Sequence, residues 1–141
     1  MKKLSVTIGA VLCLASVASA ASFNPEVSSY MKELEKTARQ ADPAFKGFDA
    51  KNGKNLFFQK HPNKEVGEIA CSTCHTADLK KEGKNPKTGK VIEPLAPSVN
   101  KKRLTDVKEI QKWLRRNFKD VMGREGSAKE KGDVLTFISE N

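Results

Sequence analysis

Residues 71–75 read Cys-Ser-Thr-Cys-His, and the rest of the chain is best understood outward from them. C-x-x-C-H is the attachment signature of c-type haem: two thiols at this spacing can form thioethers to the haem vinyls while the adjacent imidazole reaches the iron. Cys71 and Cys74 are therefore the candidate covalent anchors and His75 the candidate proximal ligand. Competing readings are poorer in chemistry. A thioredoxin-like pair wants a strand–turn–helix context, and no strand alternation stands out in the chain. A structural zinc needs four ligands, and only His61 remains to join these three. A disulfide closing so short a loop would constrain little chain entropy.

The composition agrees with a fold that needs a prosthetic group. The chain has 141 residues, enough for one small domain, of which 38% are hydrophobic and 30% charged. That is little apolar material for several packed helices, and haem would supply the missing core. With three cysteines and two histidines in all, the ligand inventory is short.

Residues 1–20 read as a cleaved signal peptide. Lys2 and Lys3 precede an apolar run from Leu4 to Val17, and Ala18-Ser19-Ala20 supplies small residues for a peptidase. Cys13 lies inside the run behind Leu12, which is not a lipoprotein pattern. Cleavage removes Lys2, Lys3 and Cys13, leaving a basic chain over 21–141 whose cysteines are the two of the motif. Nothing later approaches ~18 consecutive apolar residues, so the mature chain is expected not to span a membrane. Export implies the periplasm, the compartment in which c-type haem is attached.

The predicted architecture is all-α, with four to five helices wrapped around one covalent haem c. Val27, Tyr30, Met31, Leu34 and Ala38 recur at helical spacing until Asp42-Pro43, within a segment (21–48) read as an N-terminal extension of the haem domain. Asp49 can cap a second helix bearing Leu56, Phe57 and Phe58 and stopped by His61-Pro62. Gly53 inside it costs about 1 kcal/mol against Ala unless another helix must approach closely. Residues 76–103 read as a long ordered loop, rich in Gly, Pro and Lys. Thr105 can cap a helix to about Phe118, with Arg115 and Arg116 in its last turn, and Ser127-Ala-Lys-Glu130 is a capping box for a final helix.

The distal haem position decides the function, because a weakly held site binds gases and a firm one carries electrons. By residue type the candidates are Met122, His61, Asn117 or no ligand at all. Met122 is the default of an electron-carrying cytochrome c, although it could equally be an apolar residue in a turn. His61, beside Pro62, reads as a surface residue closing a helix. Asn117 falls with Ile110, Trp113 and Leu114 on one helical face. A buried amide there needs a partner, either a backbone group at the helix end or the iron.

The segments Thr88–Ser98, Arg103-Leu-Thr-Asp106, Lys112-Trp-Leu-Arg-Arg-Asn117, Gly123-Arg-Glu125 and Glu130-Lys131, together with C-x-x-C-H, resemble the sphaeroides haem protein (SHP) type of cytochrome c over roughly residues 50–138. The resemblance implies a class I-like cytochrome c fold with a His/Asn-ligated haem, in which Asn117 matches the distal ligand. It implies that this ligand leaves on reduction, that the reduced protein binds oxygen or nitric oxide, and that a dihaem cytochrome c supplies electrons. Met122 then becomes a packing residue. The family's disulfide beside the ligand Asn is absent, because its two cysteine positions are Phe118 and Gly126 here.

The net charge of +9 is concentrated at Lys80, Lys81, Lys84, Lys87, Lys90, Lys101, Lys102 and Arg103. Such a collar suits an acidic redox partner, and nucleic acid is excluded by export. Beyond the ligand candidates, no His and no carboxylate pair can be placed over the iron for proton delivery. A gas-binding or electron-transfer haem protein is therefore expected before a dedicated enzyme that reduces oxygen, nitric oxide or peroxide.

Overall fold

A computed structural model describes residues 23–141, so the expected signal peptide lies outside the described residues. Five helices and two small hairpins follow one another: α1 (Pro25–Ala41), α2 (Ala50–Phe58), β1 (His61–Asn63), β2 (Gly67–Ile69), α3 (Cys71–His75), β3 (Gly83–Lys84), β4 (Val91–Ile92), α4 (Val107–Met122) and α5 (Ala128–Ser139). None of the described helices is long and apolar enough to cross a membrane.

Each long helix begins where side-chain chemistry satisfies its free N–H groups. Asn24 Oδ1 accepts from the Val27 N–H at 2.9 Å, and Asp49 Oδ1 accepts from the Lys51 N–H at 2.7 Å. At α5 the predicted capping box forms: Ser127 Oγ accepts from the Glu130 N–H at 3.2 Å, and Glu130 Oε2 accepts from the Ser127 N–H at 2.8 Å. Asp106, not Thr105, caps α4, accepting from the Glu109 N–H at 3.1 Å. Thr105 is engaged elsewhere, its carbonyl taking a hydrogen bond from Asn24 Nδ2 at 2.8 Å that ties α1 to the entrance of α4.

α2 and α5 cross at the centre of the core. A Cβ on Gly53 would lie 2.0 Å from the Asp133 carbonyl oxygen and 2.9 Å from Phe137 Cβ, so only glycine permits this approach. Asp133, 1% exposed, accepts the Asp49 N–H at 2.8 Å and pairs with Lys129, linking the start of α2 to α5. Phe57 and Phe137 fill the crossing with ring centroids 5.5 Å apart. α1 lies across α5 with Val27, Tyr30, Leu34 and Ala38 buried, so residues read as an extension contribute to the main core.

Three expectations need correction. α4 runs to Met122 and ends on Gly123 in the left-handed region (φ 70°), which places Asn117 inside the helix and leaves Lys119 as the basic residue of its last turn. Trp113 is not on the apolar face but 44% exposed. Its ring lies 5.2 Å from Lys112 Nζ and 5.1 Å from Arg116 Cζ, while its Nε1–H donates to Glu109 at 3.0 Å. The buried stripe is Ile110, Leu114, Phe118 and Val121, and Trp113, beside Leu114 in sequence, is rotated away from it. Finally, α2 stops at Phe58, and residues 61–63 and 83–84 pair antiparallel with 67–69 and 91–92. Strands of two or three residues are too short to show alternation in a sequence.

Replacing Gly53 with Ala is expected to lower unfolding free energy by about 2 kcal/mol in a urea titration, because overpacking at the crossing outweighs the helix-propensity gain. Hydrogen bonding from Arg124 holds the Glu130 carboxyl down at about 2, against an ordinary value of 4.5. The stability this contributes is fully present above about pH 4.5 and is lost as pH falls through about 2. Denaturation of wild type and Glu130→Gln across that window should show the difference between them shrinking as the pH falls.

Candidate haem site

The C-x-x-C-H segment forms the short helix α3, entered from β2 through the buried Ile69 and Ala70. Thr73 fixes the entry: its N–H donates to the Ala70 carbonyl at 3.0 Å, and its Oγ1 accepts from the Ala70 N–H at 2.9 Å. Cys71 and Cys74 are three residues apart on this single helical turn, and both are free thiols. His75 is the last helical residue, and Thr76 turns the chain away at φ 63°, a region unfavourable for a β-branched side chain. Such strain persists only where its surroundings over-determine it.

Those surroundings are α2 and β3. The Phe57 ring stands 6.3 Å from the His75 ring. On the other side, a Cβ on Gly83 would fall 1.9 Å from the Cys74 carbonyl oxygen and 3.0 Å from His75 Cα, so β3 lies directly on the motif's backbone. The loop that follows is pinned over this region by the Ala96 N–H, which donates to the Leu79 carbonyl at 2.9 Å, both residues being buried.

Electrostatics favour the neutral form of all three motif side chains. Burial pushes the Cys71 thiol up to about 11, and raises Cys74 with help from the Asp120 carboxylate. A redox-active pair needs the opposite shift, toward thiolate. Burial, assisted by the Arg103 guanidinium, pushes the His75 imidazole down to about 4, so it is neutral near pH 7, as a metal ligand must be. Its Nδ1 is buried without a hydrogen-bond partner. No three His, Cys, Asp or Glu side chains converge as a metal cluster among the described residues. Two free thiols on one helical turn for the vinyl groups and a neutral imidazole for the iron are what haem c requires, and these residues fit it.

The other candidates sit on α4 and β1. Asn117 is half-buried, one turn from Leu114 and from Val121 on the same face. Because α4 continues past it and Gly123 caps the helix, the backbone-capping explanation for Asn117 loses its geometry. Met122 closes α4 and packs against the core. His61 belongs to a strand, not to a helix end, and its Nε2 is also buried without a partner.

α4 is held against this region by contacts that local sequence patterns do not reveal. Asp120, three residues beyond Asn117, lies near enough to Cys74 to act on its thiol, and Lys87 opposes that effect. Lys87 also pairs with Glu65 at 2.6 Å, joining the two hairpins. Phe118 is buried over Gly126, where a Cβ would be 2.7 Å from the ring. Apolar packing therefore occupies the two positions at which the SHP resemblance implies a disulfide. Arg103 turns inward from the basic collar: its Nε donates to the Pro94 carbonyl at 2.9 Å and its Nη2 to the Glu93 carbonyl at 2.8 Å. Of these features, the sequence pointed only to Lys87 and Arg103 as members of a basic run, without their partners.

Comparison with known proteins agrees with this arrangement. A family model described as a domain of unknown function (DUF1924) matches residues 43–138. The cytochrome c-type protein SHP of Cereibacter sphaeroides is 40% identical over 91 residues, spanning 64% of this chain and 70% of that protein. The chain belongs to the SHP-type cytochromes c. Cytochrome c'' of Methylophilus methylotrophus is 35% identical over 101 residues, covering 72% of this chain and 70% of the relative. The structure of oxidised SHP, described as an oxygen-binding cytochrome c, superposes with a TM-score of 0.71 at 34% identity, covering 82% of this chain and 96% of that one. The solution structure of cytochrome c'', presented as an account of haem-ligand detachment, gives 0.71 at 30% identity, covering 82% and 94%. The helical SHP-type fold and the class of haem protein follow, with α1 lying ahead of the region that the family model matches.

Replacing Gly83 with Ala should push β3 off the Cys74–His75 backbone. The expected outcome is less haem-bearing protein, read as a lower ratio of Soret absorbance to total protein, and a loss of about 1–3 kcal/mol in what does assemble.

Proposed function

We propose that this chain is an exported, periplasmic cytochrome c carrying one covalent haem, bound through thioethers at Cys71 and Cys74, with His75 as proximal and Asn117 as distal iron ligand. Asn117 is released on reduction, and the reduced protein then takes up oxygen or nitric oxide. The observation that carries this reading is the place of Asn117: inside α4, on the stripe of Leu114 and Val121, with the helix end capped by Gly123 instead.

When bound, haem supplies a redox-active iron whose affinity for hard and soft donors changes with its charge. The amide oxygen of Asn117 is a hard, neutral, weak donor, matched to ferric more than to ferrous iron. Asn117 is thus the ligand that reduction loosens, while His75, held by Phe57 and the Gly83 contact, stays in place. The tether on Asn117 is non-covalent, through its neighbour Phe118 packed on Gly126, so no cross-link in the chain would hold the residue against departure. The relatives support the reading, since SHP is described as oxygen-binding and cytochrome c'' in terms of ligand detachment.

Electrons would come from an acidic redox partner, such as a dihaem cytochrome c. Lys80, Lys84, Lys90, Lys101 and Lys102 are exposed and form no ion pair within 4.0 Å among the described residues, leaving a positive face for long-range attraction that salt screens. Electron transfer and gas binding, rather than turnover of a substrate, are the activities this reading assigns.

Optical spectra test it. The ferric protein is expected to be low-spin, to become high-spin on anaerobic reduction, and then to change on addition of oxygen or nitric oxide. Asn117→Ala should be high-spin already in the ferric state. An Asn117→Ala protein with an unchanged ferric spectrum, or a wild-type ferrous spectrum indifferent to both gases, would point to a firm ligand such as Met122 and a plain electron carrier.

A further inference from the structure

Among the described residues, two buried side-chain nitrogen atoms have no hydrogen-bond partner: His75 Nδ1, within the haem site, and His61 Nε2. An unpartnered buried polar atom costs about 1–3 kcal/mol and calls for an explanation. His61 opens β1 and pairs directly with Ile69 of β2. Directly paired residues present their side chains on the same face of a ladder. Ile69 is buried, and it lies two residues before Cys71, so the His61 imidazole is turned toward the side of the hairpin that leads into the haem-binding helix. On its other flank His61 shares a groove with Lys119, Asp120, Val121 and Met122 of α4. Val121 is one turn beyond Asn117 on the same face, and Asp120 reaches Cys74 electrostatically. His61 therefore sits between the turn of α4 that follows Asn117 and the strand that delivers the cysteines.

We infer that His61 is the polar group of the gas-binding side, its Nε2–H donating a hydrogen bond to a diatomic ligand taken up after Asn117 departs. This rests on the Asn117 reading proposed above. The role differs from ligation: His61 stabilises the bound gas and leaves the resting state to Asn117. On the neighbouring α4 turn Lys119 and Asp120 are exposed, whereas the His61 nitrogen is enclosed, where a hydrogen bond is strongest.

The test uses the intact haem protein, with His61→Leu and His61→Gln beside wild type. Carbon monoxide on the reduced protein is the probe, read by the C–O stretching frequency, together with the dissociation rate of oxygen. His61→Leu should keep the wild-type ferric spectrum, move the C–O stretch to higher frequency and release oxygen about tenfold faster, the size of one lost hydrogen bond. His61→Gln retains an N–H donor and should fall nearer wild type, which also covers the case in which the Leu variant fails to fold. Unchanged C–O stretch and oxygen release in both variants would overturn the inference while leaving Asn117 ligation standing. A ferric spectrum that turns high-spin in His61→Leu would make His61 the iron ligand and overturn both readings. Reduced wild type that takes up no carbon monoxide would also overturn both.

Discussion

The Asp133 carbonyl occupies the space where a side chain at position 53 would have to begin, so α2 and α5 meet backbone to backbone. The α2 wall of the site hangs from this crossing. The Asp133 carboxylate reaches past it to the Asp49 N–H, fixing the start of α2 on α5, and α2 in turn presents Phe57 to His75. A buried carboxylate is tolerated there because Lys129 and the Asp49 amide both satisfy it. Were the helices held apart by even one methyl group, the Phe57 wall behind α3 would move with them.

The opposite wall is built differently. α4 is tied to the rest by Asn24 at its start, by the His61 hairpin beside its end, and by Phe118 seated on Gly126. None of these is covalent, and each has a local cost of opening, an arrangement compatible with the ligand exchange proposed for Asn117. The His75 side, by contrast, is clamped by backbone contacts at Gly83 and by the strained turn at Thr76. A clamped His75 and an Asn117 held by side-chain packing are what the proposed exchange of one ligand would need.

The basic collar resolves into parts with separate tasks. Lys87 joins two hairpins through Glu65, and Arg103 clamps the 93–94 backbone near enough to act on His75. Lys81 pairs with Asp78 at 3.9 Å, and Lys80, Lys84, Lys90, Lys101 and Lys102 are left to shape the outer field. A run of like charges in a sequence thus mixes structural cations with those available to a partner, and pairing with Glu65 or with the 93–94 carbonyls is what separates them.

Much of the fold was legible because its determinants are local. The C-x-x-C-H spacing, the amphipathic period of α1 and the Ser127–Glu130 capping box all act within one or two helical turns, and each appears where its pattern placed it, whereas the stripe of α4 keeps Ile110 and Leu114 but not Trp113. Gly53 signalled a close approach but not which helix would make it. The exposed Trp113, the inward His61, the paired Phe118 and Gly126, and the Gly83 contact on Cys74 were beyond the sequence taken alone. The sequence by itself determined the C-x-x-C-H motif, the helical class and the short list of distal candidates, since these depend on residue type and neighbouring spacing. The tertiary structure alone decided which candidate lies mid-helix, which imidazole is buried and which cations turn inward, because those outcomes depend on which faces meet across long separations in the chain.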